Sequence, residues 1–149
     1  MPIGSVIAQA TNGGLELLAR GIMEGLAWKL THFRVGSGGH DPLDPTTVIA
    51  IDPLLVEIIG PDTYPMLVAD PEPIDLVQYA NDSASASTCR ISASEAIITV
   101  SEWGIYATIL DSPLNPPEVG TRVLFAVSHR PMIAKTTSDV LIWRLVVQF

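Results

Sequence analysis

Histidine occurs at three positions, His32, His40 and His129, and cysteine only at Cys89, so the side chains able to act as base or nucleophile near neutral pH are few. Nucleophilic catalysis needs a base within hydrogen-bond reach of the nucleophile and a third group to orient that base. Ser37 stands in Gly-Ser-Gly, but the chain lacks the Gly-x-Ser-x-Gly elbow that lifts a serine between strand and helix. Cys89 falls in a strand-like run and reads as a small buried hydrophobe. His32 alternates with apolar neighbours and reads as a satisfied or surface histidine rather than a base. Carboxylate pairs for glycoside hydrolysis meet only in the fold, so spacing alone leaves them open. Most acidic residues, however, sit beside prolines in turns. The reading is a protein without catalytic residues.

Residues 30–46, LTHFRVGSGGHDPLDPT, turn a strand-like alternation abruptly into glycine and then proline. Gly36, Gly38 and Gly39 superficially offer a phosphate cradle. No Gly-Lys-Ser/Thr follows, and the residues beyond are Asp-Pro turns rather than a helix start with free amides. The glycines instead permit positive φ at a stiff corner over 36–45. His40, Asp41 and Asp44 could be imagined as metal ligands, but EF-hand spacing is absent and Asp before Pro is common in ordinary turns. No cofactor and no metal are expected.

Glu102-Trp103-Gly104-Ile105-Tyr106 is a different kind of patch. A glycine inside a strand marks a bulge or a close backbone approach, so Trp103 is expected to pack across the space Gly104 leaves. The competing reading is an interface anchor, because Trp and Tyr supply large contact area where chains meet. Core is favoured for Trp103 on its own. As interface candidates the sequence offers Gly36, Gly38, Gly39, Glu102, Trp103, Gly104 and Tyr106, with Trp143 and Phe149 behind them.

The elements that must position these residues follow from periodicity. Thr11-Asn12-Gly13-Gly14 offers a cap, and Leu15, Leu18, Ile22 and Leu26, with Ala19 and Met23, define the apolar face of a helix over about 12–26. Glu16 and Arg20 can pair one turn apart on its other side. Residues 3–9 could form an edge strand. Helix and strand compete over 46–60. Prolines over 60–73 favour an extended path with a short strand at 66–69, and the small polar run 81–87 reads as the most mobile loop. The β-rich part, 88–149, holds strand candidates at 88–93, 96–100, 103–110, 122–129 and 139–149, with Pro113, Pro116 and Pro117 as hairpin punctuation. These strands are expected to form one antiparallel sheet. The fold class is α+β, mainly antiparallel β-sheet with an N-terminal amphipathic helix packed on it, in one domain spanning 1–149.

Composition limits the partners. Hydrophobic residues make up 48% and charged residues 16%, a lean charge complement that leaves apolar surface for another chain to cover. A net charge of −8 with scattered Lys and Arg provides no basic patch for nucleic acid. A single cysteine rules out an intrachain disulfide, no apolar run is long enough for a membrane span, and synthesis in a reducing cytosol fits.

With these patches in view, the chain resembles the N-terminal domain of phage tail-collar or tail-fibre proteins, which attaches fibres to the baseplate of contractile tails. The resemblance rests on the Thr-x-x-Gly helix start at Thr11 to Gly14 and on Val35-Gly36-Ser37-Gly38-Gly39 with its proline-rich sequel. It continues with Glu102 to Tyr106, then Leu124-Phe125-Ala126-Val127 followed by Pro131 and Lys135-Thr136. The acidic residue that the family carries soon after Tyr/Phe is replaced here by Ala107-Thr108, with Asp111 further on. The resemblance implies a structural component of the virion tail, assembled in the host cytoplasm, that contacts other tail, baseplate or fibre proteins and forms a homo-oligomer, a trimer in first place. Without a shaft after Phe149, the expected role is a stand-alone adaptor or short collar protein. A head, neck or decoration protein of the same particle is the alternative within structural proteins. A small host-surface glycan-binding or hydrolytic module is the alternative from another class.

Overall fold

Thr11 starts the helix that the sequence announces. Its backbone is extended (φ −82°, ψ 167°), and its hydroxyl accepts the Gly14 N–H at 3.1 Å, satisfying one of the free amides of the first turn. The helix, α1 (Asn12–Glu24), stops where Gly25 takes a left-handed conformation (φ 72°). The computed structural model describes residues 4–5, 8–60, 72–73, 75–78, 84–91, 98–139 and 141–148. The expected strand at 66–69 lies outside them, as does Phe149.

Around α1 the chain is mostly strand, in the order β1 (Gly4–Ser5), β2 (Gln9–Ala10), α1, β3 (Ala27–Gly36), β4 (His40–Asp41), β5 (Asp44–Val48), β6 (Glu72–Pro73), β7 (Asp75–Gln78), β8 (Ala84–Ile91), β9 (Ile98–Asp111), β10 (Arg122–Lys135) and β11 (Leu141–Gln148). The α+β, mainly antiparallel architecture is therefore observed, with the helix on the sheet. The strands do not form one sheet, however. A five-stranded sheet runs β2-β10-β9-β3-β6, a four-stranded sheet runs β1-β11-β8-β7, and β4-β5 is a separate ribbon. Among the described residues one pairing, β1 with β11, is parallel.

Two further expectations change. Residues 98–100 of one strand candidate and 103–110 of the next are parts of one continuous strand, β9, at the centre of the larger sheet, and 96–97 lie outside the described residues. The part of the small polar run over 84–87 is strand too, hydrogen-bonded to β7 on one side and β11 on the other. Backbone pairing on both edges needs no large side chain, so low hydrophobicity did not exclude it. Residues 46–60 resolve as neither a helix nor a single strand: β5 ends at Val48, and 49–60 is irregular, with an Asp52 turn in which the Leu54 N–H donates to the Asp52 carboxylate at 2.9 Å.

The core divides according to the two faces of β9. Trp103 and Ile105 meet Phe33, Val35 and Val100 of the same sheet together with Ile91 and Leu141 of the other, so this cluster joins the two sheets. Ala107 and Ile109 continue that face beneath α1, against Leu17 and Leu26. On the opposite face, Tyr106 packs with Ile58, Leu124 and Val127, and the irregular segment 49–60 supplies the cover through Ile51, Leu55 and Ile58.

The helix lies on the sheet by a different face from the one its large apolar residues suggest. Gly14 and Leu17 are buried, whereas Leu15, Leu18, Ile22 and Met23 are 53, 43, 86 and 83% exposed. The reason is contact distance: a Cβ on Gly14 would stand 2.2 Å from the Phe125 carbonyl oxygen, so only a glycine face lets the helix come this close. Phe125 is the extra residue of a bulge between Leu124 and Ala126, and its carbonyl accepts the Thr11 N–H at 3.0 Å. The Thr11 hydroxyl donates to the Leu124 carbonyl at 2.5 Å, and Trp28 Nε1 donates to the Leu17 carbonyl at 3.2 Å. Arg20 pairs with Glu24 at 2.9 Å and with Glu118 in the β9–β10 turn rather than with Glu16. Among the described residues, no helix is long and apolar enough to cross a membrane.

Two glycines on this helix give opposite expectations. Gly14→Ala should destabilise the fold despite the better helix propensity of alanine, by about 1–3 kcal/mol from overpacking against Phe125. Gly21→Ala, whose Cβ would sit 3.4 Å from the Leu26 carbonyl, should stabilise it by up to about 1 kcal/mol. Urea unfolding of the two variants beside the parent reads both signs.

Candidate functional site

Glu102 sits in the middle of β9, on the face that residues 49–60 cover, and its carboxylate is out of contact with solvent. A buried carboxylate needs several donors, because the cost of stripping its water is several kcal/mol. Three are present. The Ile59 N–H donates to Oε2 at 2.9 Å, the Gly60 N–H to Oε1 at 2.9 Å, and His129 Nε2 to Oε2 at 2.7 Å. His129 faces Glu102 across the β9–β10 ladder. The other imidazole nitrogen, Nδ1, lies 2.8 Å from the Ile49 carbonyl oxygen. Both ring nitrogens thus face groups that only accept, which requires a doubly protonated imidazolium.

The charge states follow from the same contacts. Burial alone would push the Glu102 carboxyl up. The hydrogen bonds from His129, Gly60 and Ile59 together outweigh it and hold the group below its ordinary 4.5. Burial alone would push His129 down. The bond to Glu102, the Ile49 carbonyl and the neighbouring negative charge hold it above its ordinary 6.5.

The glycine corner closes over this pair. A Cβ on Gly36 would stand 2.1 Å from the Gly60 carbonyl oxygen, one on Gly38 would stand 2.7 Å from Glu102 Oε1, and one on Gly39 would stand 1.9 Å from the Ser101 carbonyl oxygen. None of the three has a positive φ; among the described residues that conformation belongs to Gly25 and Gly120. The expectation of left-handed backbone at the corner is therefore corrected: these glycines are needed for close approach. Around them, Ser37 N–H donates to the Gly60 carbonyl at 3.0 Å, Gly39 N–H to Ser101 Oγ at 3.0 Å, and Ile49 N–H to the Gly39 carbonyl at 2.9 Å. His40 Nδ1 shares a 2.7 Å hydrogen bond with Ser101 Oγ.

The structure brings together Gly36, Gly38, Gly39 and Glu102 from the interface candidates, with Gly104 and Tyr106 further along the same face of β9. The space above Gly104 is taken by Ile58, whose Cγ2 would be 2.6 Å from an added Cβ, and not by Trp103. Trp103 points to the other face, 2% exposed, and stacks on Phe33 with ring centroids 6.0 Å apart. Tyr106 is buried as well, and its hydroxyl donates to Glu57, which also accepts from Arg34 Nη1 at 3.0 Å. Within this chain, then, Glu102, Trp103 and Tyr106 touch the chain's own interior. Trp143 lies on β11, its backbone paired with Cys89 and Gly4. His129, Ser101, Gly60 and the amide of Ile59 complete the cluster and were not among the candidates. Chemically the cluster is an internal anion receptor that ties one irregular segment to two strands. Among the described residues no three His, Cys, Asp or Glu side chains converge to hold a metal ion. A separate groove of about 360 Å³ lies beside the helix start, between Asn12, Glu16, Leu54, Val56 and Arg122.

Glu102→Gln leaves the imidazolium without its counter-charge and should cost about 3–5 kcal/mol in urea unfolding. Gly39→Ala, driven into the Ser101 carbonyl, should cost about 1–3 kcal/mol. The pair also sets a pH window. The Glu102 contribution is complete above pH 4.5 and is lost as pH falls through its lowered value; the His129 contribution is complete below pH 6.5 and is lost as pH rises through its raised value. Parent stability minus that of Glu102→Gln should therefore be greatest between pH 4.5 and 6.5 and shrink on either side. A flat difference over that range and beyond it would show that the pair carries no charge.

No family model matches the chain, and no curated protein matches it significantly.

Proposed function

We propose that this chain is a structural component of a bacteriophage tail, a fibre-attachment adaptor or short collar or baseplate protein that acts through protein–protein contacts and not by catalysis. It is assembled in the host cytoplasm, resides in the virion tail, and self-associates, with a trimer as the first expectation. The observation that carries this reading is the exposed apolar surface. Besides the outer face of α1, Leu43, Leu54 and Val56 are largely bare on a chain whose charge content is only 16%. Large apolar side chains turned outward in numbers are characteristic of surfaces that other proteins cover.

The residues of the resemblance support the same reading from inside. Thr11 and Gly14 bind α1 to β10 at Phe125, the glycine corner packs on Glu102, and Glu102 to Tyr106 runs through the centre of the larger sheet. Patches far apart in the chain thus belong to one interlocked unit. A part so built keeps its shape under load while its outer residues make the contacts.

Antibody labelling of purified particles in the electron microscope tests the assignment. Labels along the tail or baseplate are the expected result. Labels on the head or neck would move the protein to that part of the particle. Absence from particles, together with binding or cleavage of host-surface glycan, would overturn the proposal in favour of a glycan-directed module.

A further inference from the structure

The outer face of α1 carries Leu15, Leu18, Ala19, Ile22 and Met23, all exposed. At 100° per residue they span an arc of about 140°, broader than a strict coiled-coil seam. Leu15, Leu18 and Ile22 follow one another at spacings of three and four, the spacing by which one helix sets its side chains between those of another. The rest of the helix is held independently of this stripe. Thr11 and Gly14 fix its start on β10, Leu17 fills the core beneath it, and Arg20 ties it to Glu118 in the β9–β10 turn. A short helix already held on a sheet loses little further freedom when it docks.

From this geometry we infer that the stripe is the contact by which copies of this chain associate, α1 of one copy against α1 of another. Two observations select a copy of the chain as the occupant. The first is charge. Each copy carries −8, so like copies repel almost everywhere, yet no charged side chain stands among the stripe residues. Glu16, Arg20 and Glu24 flank it on one side; Arg20 and Glu24 are engaged with each other and Arg20 also with Glu118, so an exposed Glu16 stands at the rim. A partner recognised by charge would seek the acidic surface; this face offers it nothing. The second is area. The stripe presents on the order of 400 Å² of apolar surface, the size of a recognition patch. Two such patches with their rims reach the roughly 1,000 Å² total that a specific interface requires. The turn that touches the helix end at Pro113 and Glu118 also carries exposed Leu114 and Val119.

The inference rests on the self-association part of the proposed function and names its surface; it does not depend on where the protein sits in a particle. Light scattering and sedimentation over about 1–100 μM, the range where contacts of this size act, should find two or three copies associated. Ile22→Glu, at a position that is solvent-exposed within one copy, should weaken that association by more than about tenfold while leaving the circular dichroism and thermal unfolding of the separated copy native. In a Cys89→Ser background, Ile22→Cys should form an oxidative cross-link between parent-like copies and Leu43→Cys should not, which tests the contact without an added charge. Association that is unaffected by Ile22→Glu, or cross-linking equal at both positions, overturns the seam and leaves self-association standing through another surface. A parent chain that stays single at all concentrations overturns both. A single chain that instead binds another tail protein, and loses it with Ile22→Glu, gives the stripe to that partner and overturns the inference while supporting the adaptor reading.

Discussion

A carboxylate inside a β-sheet is the constraint on which most of this structure depends. Moving an ionised group out of water costs several kcal/mol even in a relaxed protein interior, and only close donors offset it. For Glu102 those donors are one imidazolium and two consecutive backbone amides. The amides of Ile59 and Gly60 are drawn over the sheet by this carboxylate, which fixes the path of the chain at the end of segment 49–60, whose apolar side chains Ile51, Leu55 and Ile58 pack below. That path in turn forbids side chains at Gly36 and Gly38, whose added Cβ atoms would strike Gly60, and brings Ile58 over Gly104. One ionised group thus bears on Gly36, Gly38, Gly60 and Gly104 and on the cover over Tyr106, Leu124 and Val127.

The same arrangement explains how β9 can be central while one of its faces is covered, among the described residues, by an irregular segment. On the Trp103 side, strands of both sheets bury apolar side chains against it. On the Glu102 side an irregular segment does the covering, and irregular backbone normally belongs at the surface because its amides and carbonyls want partners. Here the partners are supplied internally. Ile59 and Gly60 donate to Glu102, the Ile49 carbonyl accepts from His129, and the Gly60 carbonyl accepts from Ser37. The polar cluster is what permits Ile51, Leu55 and Ile58 to complete an apolar core without forming a regular element.

Much of the framework was legible in the sequence. The Thr11 start and Gly25 end of α1, the strand that closes at the glycine corner and the hairpin around Pro116 all carry local signals strong enough to survive folding. The Glu102–His129 pair was legible in principle, since the two stand on either side of the turn around Pro116, but the Phe125 bulge shifts the pairing by one residue, so that Glu102 faces His129 and not Ser128. What hides it is that charge pairing is a property of register, and register depends on a bulge that nothing in the residue types around Leu124-Phe125-Ala126 announces. Gly60 was equally silent, because a glycine needed for close approach looks in sequence like one needed for a turn. Splitting into two sheets was not legible either, since alternation describes the faces of a strand and not the neighbours along its edges.

The helix is the instructive failure, because its pattern was read correctly and its direction was not. Periodicity separates an apolar face from a polar one, and the inward assignment of the apolar face presumes that the chain's own core is the largest apolar surface available. In α1 the inward side is decided instead by how closely the backbone must approach β10. The Thr11 hydroxyl and amide reach the Leu124 and Phe125 carbonyls only if the first turn lies almost in contact with the strand, and Gly14 is the residue that allows it. Once Gly14 faces inward, the helical repeat places Leu17 and Gly21 on that side and turns Leu15, Leu18, Ile22 and Met23 outward. Two small residues and one leucine suffice for a helix pressed flat on a sheet, and four large apolar side chains are left over. They form the stripe on which the proposed contact between copies is built.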